Sequence, residues 1–304
     1  MSEDSTFFQK YNELMNNLSH SARSKKKLIS LAQQFSELSE NQDINNPFEL
    51  YFIGLGLQGE MMCYKRLEEN ASVVQVGLKA ARIFIKTAKF NYKLSKSIID
   101  SYSDPFSNAI QCYKSVINIL KNERKYNLVV NLLKEMGNAE QYFSKYHYAA
   151  NVFEEATIIC CEENIMPRLL IECAELATEC YTKNNMFDLA MLVLKRAVDS
   201  LEVYIINNDI EKSEFWKKRI YEFILLSIVF LIMNLKFDKP IKLGNKYFNE
   251  ETNSILKSFI KAVCCQSTNE LRTIFKEIKK LNYLSELTTN SIERYICKTK
   301  VIVV

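Results

Sequence analysis

Glycine and proline are scarce in this sequence, and that scarcity constrains its fold more than any other feature. The 304 residues contain only six glycines and four prolines, well below the usual shares of about 7% and about 5%. Both residues interrupt regular structure, and helix interiors use them far less than strands and turns do. So few breakers predict a chain built from long helices.

Apolar residues recur at three- and four-residue spacing along almost the whole chain, as in Ile110, Tyr113, Ile117 and Leu120. This spacing gives each segment one buried face, whereas the alternating pattern of strands does not occur. We therefore predict an all-α fold, with helices over residues 5–19, 24–40, 47–69, 71–89, 105–122, 125–143, 145–163, 166–183, 186–206, 213–236, 249–265, 267–280 and 285–298. The connectors are short, which makes neighbouring helices antiparallel.

The prolines stand where segments begin, at positions 47, 105, 167 and 240. Proline is tolerated in the first turn of a helix and disrupts later turns. The pair Asp104-Pro105 predicts an N-cap followed by a first-turn proline.

A small-residue and large-residue pattern repeats in the middle of the chain. Ala149, Phe153 and Ala156 fit the second helix of a tetratricopeptide repeat, and Gly137 fits its first helix. About forty residues later the pattern returns at Ala190, Leu194 and Ala197, with Tyr181 in the first helix. Small residues let helices approach closely while large residues fill the gaps. We predict a tetratricopeptide-like right-handed superhelix of antiparallel pairs; an irregular helical bundle is the alternative.

The predicted organisation is a single α-solenoid domain over residues 1–304. Repeat-like helices occupy residues 1–206, and a C-terminal helical cap occupies residues 213–298.

Charge and cysteine content narrow the class of protein. The 40 basic and 36 acidic residues are mixed along the chain and give a net charge of +4, so the attraction to nucleic acid is weak. Nine cysteines, an odd number, lie mostly in helical patterns, which is typical of a reduced protein. The polar, acidic start of the sequence does not resemble a secretory signal. We expect a cytoplasmic location.

The segment from Gly54 to Gly59 matches the dinucleotide fingerprint G-x-G-x-x-G. In nucleotide-binding proteins this motif follows a strand and opens a helix, with an acidic residue about twenty positions later. Here it continues a helical pattern, and the acidic position falls within the apolar stretch 76–80. We predict close helix packing or a local kink rather than a cofactor site.

No catalytic or metal-binding motif is found among the histidines and cysteines. His20 and His147 are far apart in sequence, and no C-x-x-C occurs. The adjacent pairs Cys160-Cys161 and Cys264-Cys265 point to different faces of their helices. Each cysteine is interpreted as a small buried hydrophobic residue. The sequence therefore predicts no enzyme, no cofactor and no metal.

Two further segments have more than one interpretation. Residues 220–235 are the most apolar run, but it is too short for a membrane span and predicts a fully buried helix, covered by this chain or by a partner. The basic cluster at residues 23–27 fits a solvated surface, a contact with an acidic partner, or nuclear import.

Several collinear segments resemble the 40-kilodalton huntingtin-associated protein family, also called the factor VIII intron 22 family. They are Phe8–Tyr11, Gln34–Leu38, Ala80–Phe84, Tyr148–Ala156, Ala174–Cys180 and the apolar helix around Leu225. The resemblance runs from about residue 7 to residue 298 in the same order. It departs at residues 207–213, where mammalian members carry a long proline- and glycine-rich insertion.

The resemblance implies a non-catalytic scaffold that forms a heterodimer with huntingtin, a protein of HEAT repeats, and stabilises its conformation. It further implies recruitment to early endosomes through a Rab GTPase. Lys25, Lys26 and Lys27 are the candidates for electrostatic contact, and Phe215 and Trp216 for an aromatic anchor. The alternative is an adaptor of the soluble NSF attachment type in vesicle trafficking.

Overall fold

The computed structural model of the protein describes residues 3–20, 24–94, 103–208, 213–234, 236, 238–265, 267–281 and 284–302. Fourteen helices and no strand occur in these ranges, which confirms the all-α prediction. The helices are α1 (Glu3–His20), α2 (Lys25–Glu40), α3 (Leu50–Arg66), α4 (Asn70–Leu94), α5 (Ser103–Asn122), α6 (Tyr126–Tyr142), α7 (Tyr146–Glu162), α8 (Pro167–Lys183), α9 (Phe187–Asn207), α10 (Glu214–Met233), α11 (Asp238–Tyr247), α12 (Glu250–Cys264), α13 (Thr268–Ile278) and α14 (Glu286–Ile302).

At three of the four prolines the structure differs from the sequence prediction. Helix α11 was not predicted, although Pro240 stands in its first turn, where proline is tolerated. Helix α5 begins at Ser103, so Asp104 lies inside the first turn and is not the N-cap. Pro47 precedes α3 in a turn closed by Asn46, whose side-chain amide donates to Glu49 at 2.5 Å. At Pro167 the prediction is confirmed, because that residue opens α8.

Helix contacts divide the chain into two compact units, residues 1–132 and 133–304, with the boundary inside α6. In the first unit each helix from α1 to α4 packs on the next one along the chain. In the second unit the same serial packing runs from α7 to α14, and α14 also contacts α8 and α10. Short connectors between serially packed helices produce antiparallel pairs. The single domain over residues 1–304 stays a prediction.

The G-x-G-x-x-G segment lies inside α3, where its glycines allow close packing with two neighbouring helices. A Cβ atom at Gly54 would lie 2.6 Å from the Phe84 ring of α4, and one at Gly59 would lie 2.5 Å from the Phe35 ring of α2. A Cβ atom at Gly56 would meet Ser39 of α2 at 2.8 Å. The motif is thus a packing element, as predicted.

The repeat positions of the second unit pack as the small-and-large pattern requires. Gly137 of α6 faces Phe153 of α7, where an added Cβ would lie 2.6 Å from the ring. Ala149 and Ala156 flank Phe153 on α7, and all three side chains are fully buried. Their counterparts Ala190, Leu194 and Ala197 on α9 are buried as well.

Five helix ends use residues other than glycine in the left-handed conformation, namely Glu68, Arg124, Ser144, Asn164 and Asn185. Each is followed by a backbone N–H that donates to a carbonyl five residues earlier, for example Lys125 to Leu120 at 2.9 Å. This bond closes a Schellman turn, which usually contains glycine. The glycines lie inside helices instead. The last four left-handed residues, Arg124 to Asn185, recur about every twenty residues, a spacing that corresponds to one helix of the repeat.

The apolar run at residues 220–235 predicts a buried helix, and most of this run lies in α10. Almost every side chain from Ile220 to Ile232 is buried. Helices α9, α11, α12 and α14 all contact α10, so the described chain itself covers this helix. None of the described helices is both long and apolar enough to cross a membrane.

Candidate protein-binding surface

Lys25, Lys26 and Lys27 form the first turn of α2, and all three side chains are exposed. Ser24 caps the helix by accepting a hydrogen bond from the Lys27 backbone N–H at 3.5 Å. No described side chain forms a salt bridge with these lysines, and the first turn contains no acidic residue. Because the N-terminus of a helix carries partial positive charge, three cations there are electrostatically unfavourable. A negatively charged partner would relieve this repulsion.

Phe215 and Trp216 lie in the first turn of α10 but differ in exposure. The Phe215 side chain is 57% exposed. Trp216 is half-buried and packs edge-on against Tyr204 of α9, with ring centroids 5.9 Å apart. Its ring also supports Phe215 at 4.9 Å. Of the two predicted anchors, Phe215 is therefore available to a partner, and Trp216 holds it in place.

Four apolar residues of α9 form an exposed stripe that the sequence analysis missed. Leu189, Leu192, Val203 and Ile206, called here the α9 stripe, are 40–63% exposed. At about 100° per residue they fall within one arc of roughly 100° on the helix, which Arg196 and Asp199 share between the two apolar pairs. The charged residues of α9 occupy the same side of the helix, so its pattern places this side away from the core, and the apolar residues among them were overlooked.

A groove of about 590 Å³ lies between α8, α10 and the start of α14 in the second unit. Leu176, Leu284 and Leu287 form its apolar part. Five carboxylates and two guanidinium groups also line it: Glu172, Glu175, Glu179, Glu222, Glu286, Arg219 and Arg294. These residues come from three segments that lie far apart in sequence, and no sequence motif connects the segments.

Ion pairs compensate most of the acidic charge in this groove. The Arg219 guanidinium lies 2.8 Å from Glu222 and 3.4 Å from Glu175. Burial raises the pKa of the Glu175 carboxyl, and the neighbouring charge of Arg219 acts in the opposite direction. A guanidinium that bridges two carboxylates is an ion-pair arrangement, which differs from a carboxylate dyad poised to share a proton.

Two further acidic groups of the groove wall are also paired. Glu172 forms a 2.7 Å salt bridge with Lys134, and Glu179 forms one of 2.7 Å with Lys183. The groove is therefore a structural ion-pair network, and its net charge is smaller than its five carboxylates alone indicate.

Three cysteines contradict the prediction that each cysteine is a small buried hydrophobic residue. Cys264, Cys265 and Cys297 are exposed, because they lie on the outer faces of α12 and α14 or at their ends. Cys63, Cys112, Cys160, Cys173 and Cys180 are buried as predicted, and Cys161 is half-buried. Arg23, predicted as part of the basic cluster, lies outside the described residues, as do residues 209–212 at the site of the family's insertion.

No protein-family model matches the sequence, and no curated protein matches it. Among solved structures 28 chains match. One is the crystal structure of the apo form of RapI, which is 13% identical, has a TM-score of 0.32 and aligns over 98% of each chain.

Proposed function

We propose that this protein is a non-catalytic scaffold that binds a large helical-repeat protein, with huntingtin or its orthologue as the partner. In this proposal the chain stabilises one conformation of huntingtin and links the complex to early endosomes through a Rab GTPase. The partner follows from the collinear resemblance to the 40-kilodalton huntingtin-associated protein family. The resemblance includes Tyr148–Ala156 and Ala174–Cys180, which form parts of the packed helices α7 and α8.

The observation that carries the binding role is the α9 stripe. Large apolar side chains that stay exposed on one helix face lose that exposure when a partner covers them. From Leu189 to Ile206 the stripe extends about 26 Å at about 1.5 Å per residue. That length fits contact with one or two helices of a repeat protein. Exposed aromatic residues such as Phe215 are the type that concentrates binding energy at protein interfaces.

The test introduces charge into the stripe. In the double variant Val203→Asp/Ile206→Asp, a partner helix would have to bury two carboxylates in an apolar contact, and each unpaired buried charge is strongly unfavourable. We expect huntingtin to co-purify with the tagged wild-type chain from its native organism. Recovery with the double variant should fall at least tenfold.

The matched control places a carboxylate elsewhere in the same unit. Ser258 is exposed on α12, and Ser258→Asp should leave co-purification unchanged. Far-UV circular dichroism must show equal helix content in all three proteins. Absence of huntingtin from the wild-type sample would reject the partner, whereas equal recovery with the double variant would reject the α9 stripe as the contact.

Two other outcomes separate the competing functions. Recovery of SNARE bundles, with no huntingtin, would support the soluble NSF attachment type of adaptor. Thermal stabilisation by a nucleotide would support an enzyme that uses the glycine motif; we expect none, because the three glycines of that motif face side chains of α2 and α4.

A further inference from the structure

Helix α4 carries only positive charges, and all of them lie on one face. The charged residues are Lys79, Arg82, Lys86, Lys89 and Lys93, and the helix contains no acidic residue. Their spacing of three, four, three and four residues places them within an arc of about 80° at about 100° per residue. Four of these side chains are exposed, and Lys89 is half-buried. This row, about 21 Å long at about 1.5 Å per residue, is called here the α4 basic face.

The charge of the whole chain conceals this local excess. Helix α4 contributes +5, whereas the 304 residues together have a net charge of +4, so the rest of the chain sums to −1. Lys79 is partly compensated: burial raises the pKa of the Glu60 carboxyl on α3, and the charge of Lys79 opposes that rise. The row of cations as a whole attracts a polyanionic surface that comes within about one Debye length, about 8–10 Å.

Exposed apolar side chains lie beside the C-terminal half of the α4 basic face. They belong to the connector between α2 and α3, in which Phe48 is 72% and Ile44 is 50% exposed. The Lys86 ammonium donates a hydrogen bond to the Ile44 carbonyl oxygen at 3.4 Å. The Phe48 ring packs edge-on against Phe90 of α4, with ring centroids 5.6 Å apart. Because both contacts hold the connector against α4, Ile44 and Phe48, called here the apolar tip, keep a fixed place next to the cations.

The apolar tip projects as a ridge. Phe48 borders two separate hollows of about 430 and about 260 Å³, one shared with Phe52 and the other with Tyr51. A side chain between two hollows and 72% exposed is presented outward, unlike the side chains that form the walls of a helix-binding groove.

The carboxylates near the tip are fewer than the cations beside it. Glu49 accepts hydrogen bonds from Asn46 and from the Asp43 backbone N–H, and Asp43 accepts one from the Asn45 backbone N–H. Asp104 lines one of the hollows. Set against the five cations of α4, these three carboxylates leave the surface positively charged.

We propose that the α4 basic face and the apolar tip together bind the surface of an anionic phospholipid bilayer. Cations on one helix face beside protruding aromatic and aliphatic side chains are typical of interfacial membrane binding. Each cation near an anionic bilayer strengthens binding by about fivefold. An acidic protein partner would need carboxylates at matching positions and a groove for its apolar residues, whereas lipid headgroups adapt to any spacing of the cations. This role goes beyond the proposed scaffold function and requires no protein partner.

The experiment mixes the full-length chain with sedimentable vesicles of phosphatidylcholine, prepared with or without about one third phosphatidylserine. We expect the wild type to sediment with the anionic vesicles at low ionic strength and to stay in the supernatant with the neutral ones. The variant Lys86→Gln/Lys89→Gln/Lys93→Gln should bind the anionic vesicles at least tenfold more weakly. Glutamine has nearly the helix propensity of lysine, and far-UV circular dichroism must show equal helix content.

The matched control removes the same number of charges elsewhere. Lys257, Lys261 and Lys276 are exposed on α12 and α13, and the variant with glutamine at all three should bind as the wild type does. An equal loss in both triple variants would reduce the effect to net charge and would overturn the assignment to α4. Sedimentation of the wild type with neutral vesicles to the same extent would overturn the electrostatic part of the proposal.

A tryptophan at the tip tests its insertion into the bilayer. Trp216 is the only tryptophan of the chain, so Phe48→Trp in a Trp216→Phe background reports on position 48 alone. Its fluorescence should shift to shorter wavelength with anionic vesicles, because an indole favours the membrane interface. An unchanged spectrum while the protein sediments with the vesicles would refute the role of the apolar tip.

Two further outcomes separate lipid from other polyanions and from the scaffold function. Binding to single-stranded DNA or to huntingtin that depends on the three α4 lysines, without binding to vesicles, would overturn lipid as the ligand. Val203→Asp/Ile206→Asp, which should lose huntingtin, should still sediment with anionic vesicles. The two proposals can therefore fail independently of each other.

Discussion

Gly59, in the middle of α3, lies directly against the ring of Phe35 on α2. In Gly59→Ala the new Cβ would lie 2.5 Å from both Cδ1 and Cε1 of that ring and 2.9 Å from Cγ. Carbon atoms pack at about 3.5–4.0 Å, so the ring or the helix must move by about 1 Å. Phe35 is fully buried, so its ring cannot turn out into solvent.

Two effects of opposite sign determine the stability of Gly59→Ala. Alanine is about 1 kcal/mol more favourable than glycine inside a helix. Overpacking a filled core costs about 1–3 kcal/mol. Because the enclosed ring touches the added carbon at three atoms, we take the upper part of that range. The expected net result is a loss of about 1–2 kcal/mol in the free energy of unfolding.

Urea unfolding followed by far-UV circular dichroism measures this loss. Phe35→Leu removes the ring atoms that the new Cβ would meet, so Gly59→Ala should be tolerated better in the Phe35→Leu background. The double-mutant cycle should give a coupling free energy of about 1 kcal/mol or more. Gly54→Ala supplies the matched control, because its Cβ would meet Phe84 of α4. Its effect should add to that of Phe35→Leu with little coupling.

The predicted contact is refuted if Gly59→Ala is more stable than the wild type by about 1 kcal/mol, the amount by which alanine is favoured over glycine inside a helix. That result would mean that the helices separate at no cost and that the glycine has no packing role. Equal coupling of Phe35→Leu to both glycine variants would also refute the specific contact.

Two further predictions concern named polar groups. Tyr181→Phe removes the hydroxyl bonded to Glu154 and Asn151 and should cost about 1–3 kcal/mol in urea unfolding at neutral pH. Burial and the hydrogen bond to Glu154 raise the pKa of Tyr181 above its ordinary 10.0. The hydroxyl's contribution to the free energy of unfolding is therefore complete below pH 10 and is lost as pH rises through the folded pKa. The difference in stability between wild type and Tyr181→Phe should narrow in alkali. Lys25→Glu/Lys26→Glu replaces cations at the N-terminus of α2 and should raise the thermal midpoint through an improved helix-dipole interaction of about 1 kcal/mol. The same variant should weaken binding to an acidic partner surface, and unchanged affinity in a pull-down titration would exclude the lysines from the interface.

Local patterns were enough to predict most helices and one kind of helix contact. The spacing of Ala149, Phe153 and Ala156 predicts a small-and-large interface, and Phe153 does pack against Gly137. The spacing of apolar residues predicts such a contact, because one face of a helix packs against the helix next to it in sequence. The same local reasoning overlooked α11, because Pro240 and Gly244 are both typical of loops.

Residue type alone did not predict exposure. On α9 the core residue Leu194 and the exposed residue Ile206 are both large and apolar, and they differ in the side of the helix that they occupy. For the same reason Cys264 and Cys297, expected in the core, lie at the surface. Trp216, predicted as an anchor, packs against Tyr204 of the preceding helix and against Phe215, and its contact with a partner stays a prediction.

The sequence by itself determined that this chain is all-helical. The scarcity of glycine and proline and the three- and four-residue spacing of apolar residues both favour helix within a single segment, whatever the rest of the chain does. Tertiary structure decided which apolar faces remain open, which glycine meets which ring, and which cysteines lie at the surface. These outcomes depend on the register between helices that are separate in sequence. Register is set by the combined packing of many side chains, and no single segment contains that information.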